Sequence, residues 1–223
     1  TFTPKLQEGV AGNGLHIHLE LTRHDRNVMT SPEASLSKEA LMLIGGLCNQ
    51  ADVLTAFGNT MASSYLRLVP DQEAPTRICW SDMNRSALIR VPLAWNVAAS
   101  MSDQLNPPSE PLPPLPRQTV ELRTPDGSAH VHLLLAAITA VADRAFQEPG
   151  SVELARKRYT TAAGLRDEAF AATLPSLPSS CAQAAELLEN GRGFFEAEQL
   201  FPDAVLKQVI RELRSEDDAH LSR

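Results

Sequence analysis

The sequence lacks an excess of positive charge and lacks long apolar runs. It contains 20 Lys and Arg against 27 Asp and Glu, which gives a formal net charge of −7. Such a chain has no basic face of the kind that binds phosphate backbones, so we expect no nucleic-acid partner. No stretch approaches the roughly 20 consecutive apolar residues that cross a bilayer, and the first ten residues lack the apolar core of a signal peptide. We therefore expect a cytoplasmic protein with no membrane partner.

Cysteine is also scarce. Cys48, Cys79 and Cys181 are far apart and form no CxxC pair, so we predict buried thiols rather than a disulfide framework or a zinc site. The glycine-rich loops that cradle phosphates in many nucleotide-binding enzymes are absent as well. The chain has 223 residues, of which 43% are hydrophobic and 21% charged. This is enough for one sizeable domain, or one domain with a small appended unit.

Polar and apolar residues alternate over residues 10–21, directly after a glycine-rich turn. A period of two predicts a half-buried strand, and it places His16, His18 and Glu20 together on the face opposite the apolar residues. Two imidazoles beside glycines suit a metal or nucleotide site. Taken alone, the same pattern also fits two partly exposed strand histidines.

The remaining elements are predicted from periodicity, capping residues and proline positions. They are one helix or two over 37–57, one or two strands over 77–91, a strand over 119–123, a helix over 129–146, and mainly helix after 149. Six prolines within 105–116 predict an extended loop or linker, because proline cannot donate a ladder hydrogen bond. The 176–223 tail predicts two amphipathic helices, the first capped near Ser179 or Ser180.

Two further segments carry side chains that bind anions. Prolines on both sides of a short polar loop hold Arg67 and Glu73 in a defined place, since proline limits the freedom of the backbone. Arg85 and Arg90 follow, and the forked donors of arginine pair with carboxylates and phosphates. Surface ion pairs on a strand are the alternative explanation for both arginines.

A third segment places an acid and a base on the same face of a strand. Glu121 and Arg123 are two residues apart. A carboxylate that can bind a metal ion and a guanidinium that can bind an anion therefore lie side by side. An ordinary ion pair accounts equally well for this spacing. No single motif decides the function.

The order and spacing of the motifs are more informative than any one of them. Four segments occur in sequence: GNGLHIH at 12–18, FGNTMASSYLRLVPDQEAP at 57–75, NRSALIR at 84–90 and VELRTPDGSA at 120–129. Together they strongly resemble the catalytic half of glutamine synthetases. That family phosphorylates the γ-carboxylate of glutamate with ATP, and ammonia then displaces the phosphate to give glutamine.

The resemblance implies roles for individual residues. His16 and Glu121 match ligands of a Mg²⁺ or Mn²⁺ ion near the phosphates, and Glu73 matches the flap glutamate that covers the site and helps to deprotonate ammonium. The glutamate-binding positions are matched by Gly12, Arg67, Glu73, Arg85 and Arg123. The ATP-binding positions are matched by His18, Glu20, Arg85 and Arg90, and Arg117 is a candidate for one further positive charge. Catalytic roles are implied for Glu73, Arg85 and Arg90.

The chain also departs from the family pattern. Glu20 stands where the family typically has Ser, Asp71 and Gln72 replace the Gly and aromatic residue common before the flap glutamate, and Thr119 stands where bacterial members usually have Arg. These departures leave two alternatives open. One is a γ-glutamyl ligase that uses another amine, and the other is a non-catalytic relative that binds nucleotide or amino acid.

The expected fold class is α+β, with a curved, mainly antiparallel sheet, packed helices and a helical C-terminal region. Residues 1–150 are expected to form the core of a catalytic domain and 151–223 a helical region of the same domain. The family's second metal is bound by glutamates that precede the GNG turn, and this chain begins with Thr about ten residues before that turn. We therefore expect a native chain about twice this length. The resemblance also implies a homo-oligomer with ATP, glutamate and ammonia as ligands.

Overall fold

The structure is a computed structural model that describes residues 1–32, 35–92, 105, 118–197 and 200–219. The linker predicted over 105–116 lies outside the described residues except for Leu105, and so does Arg117.

A small four-stranded sheet positions the polar residues of the chain. Six strands are described: β1 (Ile17–Leu19), β2 (Thr22–Arg23), β3 (Arg26–Asn27), β4 (Trp80–Asp82), β5 (Ile89–Val91) and β6 (Val120–Leu122). The main sheet has the order β1-β6-β5-β4, and β2 and β3 form a separate antiparallel pair. β6 is antiparallel to both of its neighbours, and β4 is parallel to β5. The sheet is therefore mainly antiparallel, as predicted.

Ten helices are described around the sheet: α1 (Lys38–Asn49), α2 (Ala51–Gly58), α3 (Ala62–Arg67), α4 (Val131–Gln147), α5 (Ser151–Arg158), α6 (Ala162–Arg166), α7 (Glu168–Ala171), α8 (Cys181–Gly191), α9 (Gly193–Glu196) and α10 (Asp203–Ser215). The helical prediction over 37–57 is confirmed as two helices that meet at Gln50. The hydroxyl oxygens of Ser37 and Ser180 cap α1 and α8, which is the interaction expected of serine before a helix. The α+β class is confirmed.

The strand predicted over 10–21 is much shorter in the structure, where only Ile17–Leu19 pairs with a neighbour. The glycine-rich turn before it packs against the N-terminal residues instead. The Asn13 amide donates to the Pro4 carbonyl over 2.8 Å, so this backbone group is satisfied outside the sheet. The turn is therefore a connection between the N-terminal residues and the sheet.

The core lies on one face of the sheet, where Ile17, Ile89 and Leu122 are register partners. Helix α1 packs against α4 and α5, and α8 packs against α2 and α10. One cluster of buried apolar side chains runs through these helices and the sheet. The prediction of buried, unpaired cysteines is confirmed for all three thiols.

No single helix in the described part of the chain is long and apolar enough to cross a membrane. Helices α1 and α2 pass that test only as a pair, and they are bent by 72° relative to each other.

Candidate active site

A row of polar side chains crosses the face of the sheet opposite the core. His18 of β1, Glu121 of β6 and Arg90 of β5 are register partners, and Ser81 of β4 continues the row. Directly opposite residues on neighbouring strands point to the same face. The alternation that buries Ile17 and Leu122 therefore brings the charged residues of three sequence segments together on the other side.

Glu121 is the centre of this row, and its side chain is fully buried. Its Oε1 atom lies 2.8 Å from both His16 Nδ1 and Arg123 Nη1, and its Oε2 atom accepts a hydrogen bond of 2.5 Å from Arg90 Nε. Burying a carboxylate costs several kcal/mol unless opposite charges and hydrogen bonds compensate. Two arginines supply that compensation, so the carboxylate is held in one position.

His16 is held in its neutral form. Burial, and next the positive charge of Arg123, lower the pKa of His16 from 6.5 to about 4, against the opposing effect of Glu121. Arg123 Nη1 lies 3.3 Å from the Nδ1 atom of the ring. The neutral imidazole is the form of histidine that binds a metal ion.

His16 and Glu121 have the chemistry and the placement of two ligands of one divalent cation. A neutral imidazole and an ionised carboxylate are usual ligands of Mg²⁺ or Mn²⁺, which keep several positions for water and phosphate oxygens. Their donor atoms converge at 2.8 Å, close enough for both to bind one ion. No group of three or more metal-binding side chains occurs within the described residues, so this pair could supply two ligands of such an ion.

Arg67 lies beneath the row and is only 3% exposed. Its guanidinium donates to the carbonyls of Thr124 at 2.6 Å and Arg123 at 3.0 Å. Burial lowers the pKa of Arg67, and the carboxylate of Asp126 at 3.9 Å opposes that shift. The side chain thus supports the backbone that carries Arg123.

The glycines of the turn before β1 are needed for close approach. A side chain at Gly14 would lie 2.6 Å from Arg67 Nη2 and 2.8 Å from His16 Nε2, and one at Gly12 would overlap the Pro4 carbonyl oxygen. Cβ atoms essentially never lie this close to other atoms, so a substitution at either glycine would force its neighbours to shift. The two glycines therefore allow this turn to approach Pro4, His16 and Arg67 closely.

Sequence reasoning missed a buried pair that holds Arg67. Asp126 Oδ2 accepts a hydrogen bond of 2.8 Å from Asn59 Nδ2, and its Oδ1 accepts from the Ser128 amide at 2.9 Å. Both Asn59 and Asp126 are fully buried. Their residue types, in FGNT and PDG, are also those of ordinary turns. Only their burial beside Arg67 distinguishes them.

Glu73 and Arg85 lie at the rim of the site. Their side chains are 3.6 Å apart and each is 66% exposed, so the ion pair itself contributes little. Arg123 connects both segments to the sheet, donating to the Arg85 carbonyl at 3.1 Å and to the Glu73 carbonyl at 3.3 Å. Arg123 is thus the link between the sheet and the two rim segments.

Two of the other predicted ATP-binding residues, His18 and Glu20, lie outside this cluster, and Arg117 lies outside the described residues. His18 Nδ1 lies 3.1 Å from Thr119 Oγ1, and Glu20 accepts a hydrogen bond of 3.0 Å from Asn27. Neither hydrogen-bonds to Glu121, although His18 is its register partner. The structure thus brings eight predicted site residues into one connected cluster and places His18 and Glu20 further along the β1 edge. The eight are Gly12, His16, Arg67, Glu73, Arg85, Arg90, Glu121 and Arg123.

Comparison with known proteins finds one family. Residues 1–220 match the family model of the glutamine synthetase catalytic domain. A glutamine synthetase of Thermotoga maritima is 36% identical over 196 residues, which is 85% of this chain and 39% of that protein. One of Salmonella typhimurium is 32% identical over 222 residues, 98% of this chain and 42% of that protein.

A cryo-EM structure of Plasmodium falciparum glutamine synthetase has the same fold. Its TM-score is 0.71 at 23% sequence identity, and the match covers 99% of this chain and 47% of that one. At this identity the likeness shows the fold alone. In each of these three comparisons the chain spans less than half of the length of the protein it matches.

Proposed function

Since the chain belongs to the glutamine synthetase family, we propose that it forms the glutamate- and phosphate-binding part of an ATP-dependent glutamate–ammonia ligase. The observation that carries the proposal is the buried Glu121 carboxylate, which lies between His16, Arg90 and Arg123 on the face of the sheet opposite the core. A fixed negative charge among fixed positive ones can bind a cation and anionic oxygens at neighbouring points.

His16 and Glu121 would hold a Mg²⁺ or Mn²⁺ ion in this proposal. The ion would offset the negative charge of the phosphates and keep the transferred group in line. Further ligands would come from substrate oxygens, water or residues outside this sequence, because two protein donors do not fill the shell of either ion.

Gly12, Arg67 and Arg123 would bind the substrate glutamate. Arg67 uses two donors on backbone carbonyls, and a guanidinium has five N–H groups. The proposal assigns its remaining donors to a substrate carboxylate. The support for Arg123 is its buried guanidinium, which already pairs with one carboxylate, that of Glu121, over 2.8 Å.

Arg85 and Arg90 would stabilise the charge that develops as the γ-carboxylate oxygen attacks the γ-phosphorus and ADP leaves. His18, Glu20 and Arg117 would bind the rest of the nucleotide. Glu73 would take a proton from ammonium and shield the acyl phosphate from water. Ammonia then attacks the acyl carbon, the C–O bond to phosphate breaks, and glutamine and phosphate are released. We further propose a cytoplasmic homo-oligomer.

The test is formation of ADP that requires both glutamate and ammonium in the complete protein that carries this sequence. Glu121→Gln keeps the size of the side chain but removes its charge, and we expect turnover to fall by about 100-fold or more. Glu153→Gln is the matched control, because Glu153 is 79% exposed on α5. We expect its turnover to match that of the wild type.

Three outcomes would contradict the proposal. Equal turnover of Glu121→Gln and wild type would remove Glu121 from the mechanism. Binding of MgATP without glutamate-dependent ADP release would instead favour a non-catalytic relative that keeps the fold. Release of ADP with another amine but not with ammonium would indicate a different γ-glutamyl ligase.

A further inference from the structure

Residues 69–75, which we name the flap, have a backbone conformation that needs external support. Asp71 has φ of 62° and Glu73 has φ of 55°, both in the left-handed region that residues with a side chain rarely adopt. Such residues persist where surrounding contacts hold them. The Arg123 hydrogen bond to the Glu73 carbonyl is long, at 3.3 Å, and it supports Glu73 but not Asp71.

A second contact comes from the N-terminal residues of the chain. The ammonium group of Lys5 donates to the side-chain oxygen of Gln72, the residue between Asp71 and Glu73, and to the carbonyl of Val10. Lys5 is only 7% exposed, and among the described residues its two hydrogen-bond acceptors are both neutral oxygens. A buried ammonium with neutral acceptors only is costly, so its place beside the flap points to a specific role.

The residues around Lys5 also contact the turn that precedes β1. The Pro4 carbonyl accepts a hydrogen bond of 2.8 Å from the Asn13 amide, and the Thr3 carbonyl accepts one of 2.8 Å from the Asn13 side chain. Residues Thr3–Lys5 therefore contact both the turn that carries Gly12 and the flap. Gln72 supplies the amide oxygen that accepts this hydrogen bond.

We propose that Lys5 and Gln72 are positioning residues that hold the flap, and with it the Glu73 carboxylate, over the site. The part of this inference that concerns catalysis rests on the proposed function. The part that concerns the flap does not, because it rests on the hydrogen bonds of Lys5 alone. Loss of either side chain releases the flap and admits water to the acyl phosphate. Water then attacks the acyl carbon, the C–O bond to phosphate breaks, and glutamate and phosphate leave.

The first test is hydrogen exchange of residues 69–75 in the complete protein without substrates. Lys5→Met and Gln72→Leu each remove the hydrogen bond and keep the approximate size of the side chain. We expect exchange to become about tenfold faster in each, the effect of losing a hydrogen bond to a charged group. The double variant should be no faster than either single one, since both remove the same contact. Lys5→Arg keeps a charged donor and should restore protection.

The control is Lys157→Met, which removes an exposed lysine from α5 and should leave flap exchange unchanged. Additive effects in the double variant, or wild-type exchange in Lys5→Met, would overturn the proposal. Equal acceleration in the flap and in β6 would also overturn it, because Lys5 would then support the whole fold.

The second test is the number of phosphate ions released per glutamine formed. We expect this ratio to rise in Lys5→Met and Gln72→Leu and to stay at the wild-type value in Lys157→Met. An unchanged ratio would contradict the catalytic part of the inference. If the wild-type protein forms no glutamine, the proposed function fails, and hydrogen exchange alone then decides whether Lys5 holds the flap.

Discussion

At the residue scale, the site concentrates positive charge within a chain whose net charge is −7. Arg90 and Arg123 both contact Glu121, and Arg67 lies directly beneath them. Burial lowers the pKa of Arg123, and the charge of Glu121 opposes that shift. An excess of fixed positive charge on one face attracts anions such as a nucleotide or a dicarboxylate. Local charge, rather than the net charge of the chain, therefore decides what this face can bind.

The lowered pKa of His16 predicts a loss of stability in mild acid. Its pKa is about 4 in the folded protein against 6.5 for the free group, so between these values the unfolded chain binds a proton that the folded chain does not. The contribution of His16 to the free energy of unfolding is therefore fully present above about pH 6.5, and it is lost as the pH falls toward 4. Because a third of the side chain is exposed, we expect a loss of about 1 kcal/mol between pH 7 and pH 5.

Urea unfolding at pH 7 and pH 5 measures this loss. His16→Gln should lose about 1 kcal/mol less than the wild type between the two pH values. His132→Gln removes an exposed histidine of α4 and should behave like the wild type. An identical pH dependence in His16→Gln and wild type would contradict the assignment.

At the scale of elements, the close packing of α1 on α5 depends on a residue without a side chain. A Cβ at Gly45, in the middle of α1, would overlap the carbonyl oxygen of Ser151 at the start of α5. Ser151 is itself buried, so its backbone has little room to move. The glycine is kept for helix packing although it lowers helix propensity.

Gly45→Ala should therefore destabilise the protein. Alanine would improve helix propensity by about 1 kcal/mol, but forcing a methyl group into a packed interface costs typically about 1–3 kcal/mol and more when backbone must move. We expect a net decrease in the free energy of unfolding, measured by urea denaturation. Gly193→Ala, where no atom lies within 4 Å of the added Cβ, should be neutral or stabilising. A stabilising effect of Gly45→Ala would show that α1 and α5 are less closely packed.

At the scale of the whole molecule, aromatic packing joins the N-terminal and C-terminal parts. The ring of Phe195 in α9 lies 5.5 Å from that of Phe57 in α2, at an interplanar angle of 90°, and 5.5 Å from that of Phe201. Phe57 and Phe195 are both fully buried. We therefore propose that residues 1–150 and 151–223 unfold as one cooperative unit.

Phe195→Ala tests this cooperativity. Removing a fully buried phenylalanine should lower the free energy of unfolding by about 3–5 kcal/mol. If the molecule is one unit, the most protected amides of β6 and of α8 should exchange faster by the same factor. Faster exchange in α8 alone would indicate two units. Phe170→Ala is the control, since Phe170 is 40% exposed on α7 and should have a small effect.

Much of the fold follows from local patterns in the sequence. The helical stretch over 37–57, the cap at Ser180 and the helix of α4 follow from spacing and capping residues. The position of the break at Gln50 does not follow, because the Gln50 side chain makes no capping hydrogen bond. The length of β1 does not, because pairing ends where β6 ends, and no local signal in residues 10–16 reports the end of another strand. The placement of Lys5 beside Gln72 was equally hidden, since a lone lysine near the N-terminus resembles any exposed lysine.

The sequence by itself determined which residues could share a face, because alternation along a strand depends only on backbone geometry. It thus placed Glu121 beside Arg123, and the order of its motifs identified the family. Only the tertiary structure decided that His16 and Arg90 meet at Glu121, since that depends on β6 lying between β1 and β5. It also decided that Arg67 is buried on Asp126. Contacts between distant segments arise from the packing of the whole sheet and core, which no local pattern encodes.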